Sequence, residues 1–334
     1  MLGEPLIWKK RLYFFVIATV YLIYMIAMST HNLWGLFAER WHMSLTMVLG
    51  SLIAGATPEG GGAVAYPVMT LGFKVPPAEA RDFSLLIQAV GMSAASLWIY
   101  SRGIKIERRY LAICLPMSLV GFFVGALFLR SLIAPTYAKI SFVCFWLAFG
   151  MILFWLNHIR HRETVDRLPS LNDNERNRLA FVGFIGGVLS SIYGNGVDIC
   201  TFAYVTMRFG LSEKVATPTS VILMASNALF GVLCTQLSSS VLSSTVLDFW
   251  LVCIPVVLIG APFGAYLTSK VKRLWIAGLL YTLILTQFVA AILIIQPSGS
   301  LLGSACLAFF IGLFIFSLGT RGSELKNASR TKQV

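Results

Sequence analysis

The sequence predicts an all-α polytopic membrane protein with about eight transmembrane helices, two inverted structural repeats and two re-entrant hairpins made of broken helices. Only 12% of the 334 residues are charged and 57% are hydrophobic, whereas a soluble domain carries about 25% charged residues. Uncharged apolar runs recur along the chain, and its two halves contain similar segments. An uncharged apolar run of about 18 residues or more can span a bilayer as a helix.

The apolar runs predict the spans in chain order. The first run, 12–28, follows a basic start and is longer than the apolar core of a cleaved signal peptide, which is the alternative interpretation. The next uncharged runs are 83–101, 110–129, 140–157, 215–247 and 274–320. The predicted units are an N-terminal span with an outer loop (1–42), a first repeat (43–157), a basic cytoplasmic loop (158–178), a second repeat (179–296), and a last span with a cytoplasmic tail (297–334).

The repeat is visible as matches at two offsets. An offset of 136 residues places Gly60 on Gly196. An offset of 139 residues places the segment CLPMSLVGFFVGA (114–126) on CIPVVLIGAPFGA (253–265), which shares its cysteine, its proline and its two glycines. Self-similarity at a nearly fixed offset indicates duplicated structural units.

The positions of Lys and Arg predict the orientation, because cytoplasmic loops are enriched in both residues. The rich segments are the two termini and the loops 101–109, 158–178 and 269–273. All of them lie in the cytoplasm only if both hairpin segments return to the membrane face from which they enter. Segment 45–72 would enter and leave on the outer face, and segment 181–208 on the cytoplasmic face. The halves are then inverted repeats, a recurring transporter design. The net charge of +12 is therefore interpreted as a topology signal, and no nucleic acid partner is expected.

Two glycine-rich turns are the predicted functional site. The segments ATPEGGGAVAYPV (56–68) and SSIYGNGVDICTF (190–202) each break an apolar helix, and glycine and proline permit such breaks. Each turn begins a half-helix whose free N–H groups favour an anion. The alternative is that the glycines only permit close helix packing. The predicted substrate-binding residues are Gly60, Gly61, Gly62, Asn195, Gly196 and Val197, with Ser84, Gln88, Ser220 and Asn227 completing a polar pocket.

Two acids lie within these turns. Glu59 and Asp198 are functional candidates, because a charged group at membrane depth costs about 2.5–3.5 kcal/mol on insertion scales. The alternative is that both turns are shallow and the acids lie in water. An ionised acid would repel an anionic substrate, so we expect one of the two to be protonated when the anion is bound, which links proton and substrate movement. No nucleophile–base arrangement or phosphate loop is present, so no enzyme activity, metal or cofactor is expected.

The two turns and their flanking sequences resemble a known family. GGGAVAYP with LGF and AEARDFSLL, and GGVLSSIYGNGVD with FGLSEKVATPTSVI, are similar to the two signatures of the sulfite exporter TauE/SafE family, also called the toluene sulfonate uptake permease family. The resemblance covers about 43–315 and implies transport of sulfite or organosulfonates across the plasma membrane. It implicates Gly60, Gly61, Gly62, Pro67, Gly194 and Gly196. The chain departs from the family pattern at Pro58, Glu59, Val197, Asp198 and Ala203.

The sequence therefore predicts a transporter of small sulfur-containing oxyanions, bound between the two turns at mid-membrane. Export is the expected direction, since expelling one negative charge from a cell at about −100 mV gains ~2.3 kcal/mol. The alternatives are a cation-coupled transporter of another small organic anion and a non-transporting membrane assembly factor. The expected partners are the anion and the lipid bilayer of the inner cell membrane. A homodimer is one candidate for the oligomeric state, which the sequence leaves open.

Overall fold

The computed structural model describes residues 4–130, 132–160, 162–237 and 242–331. Within these ranges the chain is all-α and contains twelve α-helices. In chain order the helices are α1 (Glu4–Thr30), α2 (Leu36–Ala56), α3 (Gly62–Pro67), α4 (Pro77–Arg102), α5 (Arg108–Val124), α6 (Pro135–Phe154), α7 (Asp173–Tyr193), α8 (Val197–Phe209), α9 (Glu213–Leu237), α10 (Ser244–Lys270), α11 (Arg273–Ile295) and α12 (Ser300–Thr331). The prediction of an all-helical fold is confirmed.

Eight of the described helices are long and apolar enough to cross a membrane. They are α1, α4, α5, α6, α9, α10, α11 and α12; the spans that contain α5 and α6 extend into the π-helical turns Gly125–Leu129 and Trp155–Ile159. The number agrees with the predicted eight spans. The four remaining helices, α2, α3, α7 and α8, are the arms of the two predicted hairpins.

The two arms of each predicted hairpin differ in length. The helix α8 has 13 residues, as expected for an arm that ends near mid-membrane. The first arms α2 and α7 have 21 residues each, a length of about 31 Å at 1.5 Å per residue. The helix α7 begins at a capping box between Asn172 and Glu175, upstream of the predicted entry at 181. Because these arms are as long as the hydrocarbon core is thick, the re-entrant path and the inverted orientation stay predictions.

Glycines allow the two halves of the chain to pack closely. A Cβ at Gly121 of α5 would lie 2.0 Å from the carbonyl oxygen of Phe184 on α7. A Cβ at Gly264 of α10 would lie 2.1 Å from the carbonyl oxygen of Leu52 on α2. Both glycines belong to the pair of similar segments found in the sequence, and in each case the helix packs on the first arm of the other half. Small residues permit this approach of two backbones in membranes.

Replacing Gly264 with alanine is expected to lower the melting temperature of the detergent-purified protein. The added Cβ would clash with a backbone atom of α2, and overpacking of this kind lowers the free energy of unfolding by about 1–3 kcal/mol. Gly303→Ala is the matched control, because no atom lies within 4 Å of a Cβ at Gly303 on α12. Equal melting temperatures for the two variants would contradict the close packing of α10 on α2.

The basic connection between α6 and α7 is attached to the helices beside it. The backbone N–H of Val165 donates to the carbonyl oxygen of Gly210 at 2.9 Å, and the N–H of Ser212 donates to the carbonyl oxygen of Val165 at 2.9 Å. Arg162 donates to the carbonyl oxygen of Thr206 near the end of α8. These contacts fix the start of the connection against the turn between α8 and α9.

Candidate functional site at two glycine turns

The first turn interrupts the helix between α2 and α3. Thr57 is extended, with φ −139° and ψ 159°, and its hydroxyl accepts from the backbone N–H of Glu59 at 3.3 Å. Gly60 has φ +68°, a left-handed conformation that glycine adopts without a steric cost. Within the part of the chain that the structure describes, the backbone N–H groups of Gly61 and Gly62 have no hydrogen-bond acceptor, whereas Pro58 and Glu59 form a turn that directs the N–H of Gly60 toward Thr57. The turn therefore provides two unused donors.

The second turn interrupts the helix between α7 and α8, and its donors are in use. Gly194 has φ +84° and Gly196 has φ +152°. The N–H groups of Gly196 and Ile199 donate to Oδ1 of Asp198 at 3.2 and 3.0 Å. The N–H of Val197 donates to Oγ of Ser190 at 2.9 Å. The start of α8, which the sequence predicts as an anion site, is thus occupied by side chains of the chain itself.

The two turns are in direct contact. Nδ2 of Asn195, in the second turn, donates to the carbonyl oxygen of Glu59, in the first, at 3.0 Å. Nε2 of Gln88 on α4 donates to the carbonyl oxygen of Gly194 at 3.0 Å and contacts Oγ of Ser84 at 2.7 Å. Five residues that the sequence assigns to the two halves therefore form one hydrogen-bonded cluster, which we call the turn contact.

The side chain of Glu59 is buried and is held by two helices that the sequence did not assign to the site. Nε1 of Trp146 on α6 donates to Oε1 at 2.9 Å, and Nε2 of Gln287 on α11 donates to Oε2. Lys139, two helical turns before Trp146, interacts electrostatically with Glu59 and lies 4.0 Å from the ring centre of Tyr66. Gln287 is the single side-chain amide in the apolar run of α11, which marks it in the sequence as a candidate polar contact. Nothing in the sequence around Trp146 or Lys139 indicates a contact with this turn.

Three further predicted site residues are buried in packing contacts. A Cβ at Gly62 would lie 2.5 Å from Oγ of Ser84, and a Cβ at Gly61 would lie 3.2 Å from Cε of Met47 on α2. Val197 is fully buried, and its Cα would lie 2.8 Å from a Cβ at Gly186 on α7. The glycines at these places thus permit close helix packing as well as the turns themselves.

Two predicted pocket residues of the second half make other contacts. Oγ of Ser220 donates to the carbonyl oxygen of Thr217 at 2.9 Å, and Nδ2 of Asn227 donates to Oγ of Ser118 on α5 at 2.7 Å. Met224 of α9 contacts the end of α7, where its sulfur lies 3.9 Å from Oγ of Ser190. The structure therefore gives neither Ser220 nor Asn227 a hydrogen bond to a turn.

Two buried polar atoms near the turns lack a hydrogen-bond partner among the described residues. They are Oε1 of Gln88 and Oδ2 of Asp198. Asn195 and Glu59, which join the two turns by a hydrogen bond, are both buried. A ligand between the turns therefore requires them to separate.

The model of the family described as sulfite exporter TauE/SafE matches residues 43–293, well over half of the chain. The chain belongs to the sulfite exporter TauE/SafE family. It is accordingly a multi-pass membrane protein of a transporter family, and the match spans both turns and every helix from α3 to α10. Neither the curated proteins nor the solved structures contain a match.

Proposed function

We propose that the protein transports a small sulfur-containing oxyanion, sulfite or an organosulfonate, which binds between the two glycine turns. The observation that carries this proposal is the hydrogen bond from Asn195 to the carbonyl oxygen of Glu59, because it brings together two broken helices from distant parts of the chain. Membership in the sulfite exporter family supports the class of substrate. Interrupted helices that meet inside a bundle are a common substrate site in transporters.

The donors at the turn contact suit an oxyanion. Gly61 and Gly62 present backbone N–H groups that have no acceptor among the described residues. When the turns separate, the side-chain amides of Gln88 and Asn195 lose their acceptors at Gly194 and Glu59 and become free to donate to the anion. Hydrogen bonds to a charged oxygen are about twice as strong as neutral ones, so the anion compensates for the lost contacts.

The two acids have different surroundings, and Asp198 is the better proton carrier of the two. Both oxygens of Glu59 accept from side-chain donors, which suits an ionised carboxylate that anchors the turn. Oδ2 of Asp198 is buried and has no partner among the described residues. In our proposal this oxygen carries a proton while the anion is bound and donates it as a hydrogen bond to the anion. A neutral Asp198 removes the charge repulsion between the acid and its ligand.

Whether the membrane potential drives export depends on whether this proton accompanies the anion. The proposed location is the inner cell membrane with both termini in the cytoplasm, which the Lys and Arg of the short loops support. Export of a monoanion alone gains ~2.3 kcal/mol at 100 mV. Export of the anion together with one proton moves no net charge, so it would be driven by the two concentration gradients. The response of flux to an imposed potential therefore separates the two modes.

Anion binding and flux in Glu59→Gln and Asp198→Asn test the proposal. A panel of sulfite, sulfoacetate, isethionate and sulfate is added to purified protein, because a ligand that binds the folded state raises its melting temperature. We expect at least one sulfur oxyanion to stabilise the wild type, and we expect Asp198→Asn to bind it while its flux in proteoliposomes no longer depends on pH.

Loss of anion binding in both variants would contradict the proton link, since a neutral amide should still permit binding. Flux that requires an external monovalent cation would instead favour cation-coupled transport of another organic anion. Absence of flux for every small anion would favour the non-transporting assembly factor.

A further inference from the structure

A groove of about 850 Å³ lies at one end of the helix bundle, remote in sequence from the glycine turns. Its walls are the first turns of α1, the end of α4 and the last turns of α10. The volume falls in the range of about 300–1,000 Å³ that is typical of small-molecule sites. By the Lys and Arg distribution this end of the bundle faces the cytoplasm, since it carries the loops 101–109 and 269–273.

One side of this basic groove is strongly positive. Lys10, Arg102 and Lys270 line it, and no acidic residue does. None of the three forms an ion pair with a carboxylate in the described parts of the chain. The guanidinium of Arg102 lies 4.2 Å from the ring centre of Trp98, and Nζ of Lys270 lies 5.7 Å from that of Tyr266. Three positive charges thus line the groove without a countercharge among its lining residues.

The rest of the basic groove is apolar and continues onto the outer surface of the bundle. Phe14 of α1 is 60% exposed, and Ile259 and Phe263 of α10 are 66% and 49% exposed, as expected for side chains that contact hydrocarbon. Trp98 and Tyr266 form an edge-to-face pair, with ring centres 6.3 Å apart, between this surface and the cations. Aromatic side chains in this position are typical of the membrane–water interface.

We infer that the basic groove binds an anionic glycerophospholipid, with its phosphate between Lys10, Arg102 and Lys270 and its acyl chains along Phe14, Ile259 and Phe263. The arrangement matches the two ends of such a lipid, because basic pockets between transmembrane helices on the cytoplasmic side bind acidic head groups. A soluble phosphate would use the cations and leave the adjoining apolar surface without a role. This inference is independent of the substrate that the protein transports.

The test compares lipids and matched charge variants of the full-length protein. Phosphatidylglycerol, phosphatidylcholine or glycerol 1-phosphate is titrated into detergent-purified protein, and bound lipid is counted by native mass spectrometry. The groove variant is Lys10→Gln/Arg102→Gln/Lys270→Gln. The control is Arg108→Gln/Arg109→Gln/Lys272→Gln, which removes the same charge from exposed positions at the same end of the bundle without touching the groove.

We expect the wild type and the control to bind phosphatidylglycerol in preference to phosphatidylcholine. The groove variant should bind it on the order of 100-fold more weakly, since each basic side chain contributes about 1 kcal/mol toward an anionic lipid. Equal losses in the two variants, or unchanged binding in the groove variant, would overturn the inference. Glycerol 1-phosphate binding as tightly as the lipid would also overturn it. If the triple groove variant fails to fold, the double variant Lys10→Gln/Lys270→Gln replaces it, because it keeps the contact between Arg102 and Trp98. Its phosphatidylglycerol binding is compared with that of the wild type and the control in the same way.

Discussion

Replacing Gly194 with alanine is expected to reduce anion flux in proteoliposomes by about tenfold or more. Gly194 has φ +84°, a conformation that costs an L-residue about 1–2 kcal/mol. A Cβ there would also lie 2.7 Å from the carbonyl oxygen of Arg81 and 3.2 Å from Cβ of Ser84. The backbone must therefore shift, and its carbonyl oxygen moves away from Nε2 of Gln88. Since a factor of ten corresponds to about 1.4 kcal/mol, the strain alone is sufficient for an effect of this size.

The matched control for this prediction is Gly278→Ala on α11. A Cβ at Gly278 meets no atom within 4 Å, and alanine is the better helix former by about 1 kcal/mol. We expect the control to keep wild-type flux and an equal or higher melting temperature. Gly194→Ala with wild-type flux would show that the turn contact is not part of the transport cycle.

The glycine turns were predictable because their signal is local. Glycine and proline permit a helix to break, so the breaks after Ala56 and Tyr193 were expected from the adjacent residues. The eight spans were predictable for a related reason, since length and hydropathy alone decide whether a helix can cross a bilayer. Of the two side chains that donate to Glu59, Gln287 is conspicuous as the single amide of its span, but no feature of the sequence shows that Gln287 or Trp146 reaches this turn from a helix far away in the chain. An all-apolar span has no sequence period that shows which side faces the turn.

The pocket residues of the second half show a different limit. The two halves match at an offset of 136 residues near the turns and at 139 further along, so the register changes somewhere between these segments. With the first offset the counterpart of Gln88 is Met224, and with the second it is Asn227. The contact of Met224 with Ser190 supports the first offset. The first arms begin before the predicted hairpin starts at 45 and 181. The prediction began each hairpin at its apolar run, whereas α7 starts at a capping signal among polar residues.

Replacing Glu213 with glutamine is expected to lower the free energy of unfolding by about 3–5 kcal/mol, the usual result when one partner of a buried ion pair is removed. Glu213 is fully buried at the start of α9. Its Oε1 lies 2.7 Å from Nη2 of Arg162, and its Oε2 lies 3.5 Å from Nη1 of Arg273. Asn157 of the π-helical turn after α6 donates to Oε1 at 3.0 Å. A single carboxylate therefore neutralises two arginines and joins the basic connection to α9 and α11.

The arginines explain why the loss is large. The side chain of Arg162 is only 7% exposed. Burial lowers the pKa of Arg162, while the adjacent Glu213 opposes that change. Without the carboxylate, two guanidinium groups would face each other with only amide and carbonyl oxygens as acceptors. At about 2–4 °C per kcal/mol for a protein of about 150–250 residues, we expect the melting temperature in detergent to fall by about 10 °C.

Two further variants test whether unbalanced charge or lost hydrogen bonds cause this loss of stability. Glu163→Gln removes an exposed carboxylate from the same connection and should leave the melting temperature within a degree or two of wild type, as surface substitutions usually do. Arg162→Met/Glu213→Leu/Arg273→Met removes all three charges together. Because a buried ionic cluster can be replaced by apolar side chains at little cost, this triple variant should recover most of the stability that Glu213→Gln loses. A triple variant as unstable as Glu213→Gln would mean that the hydrogen bonds of the cluster, and not the balance of its charges, hold the basic connection against α9.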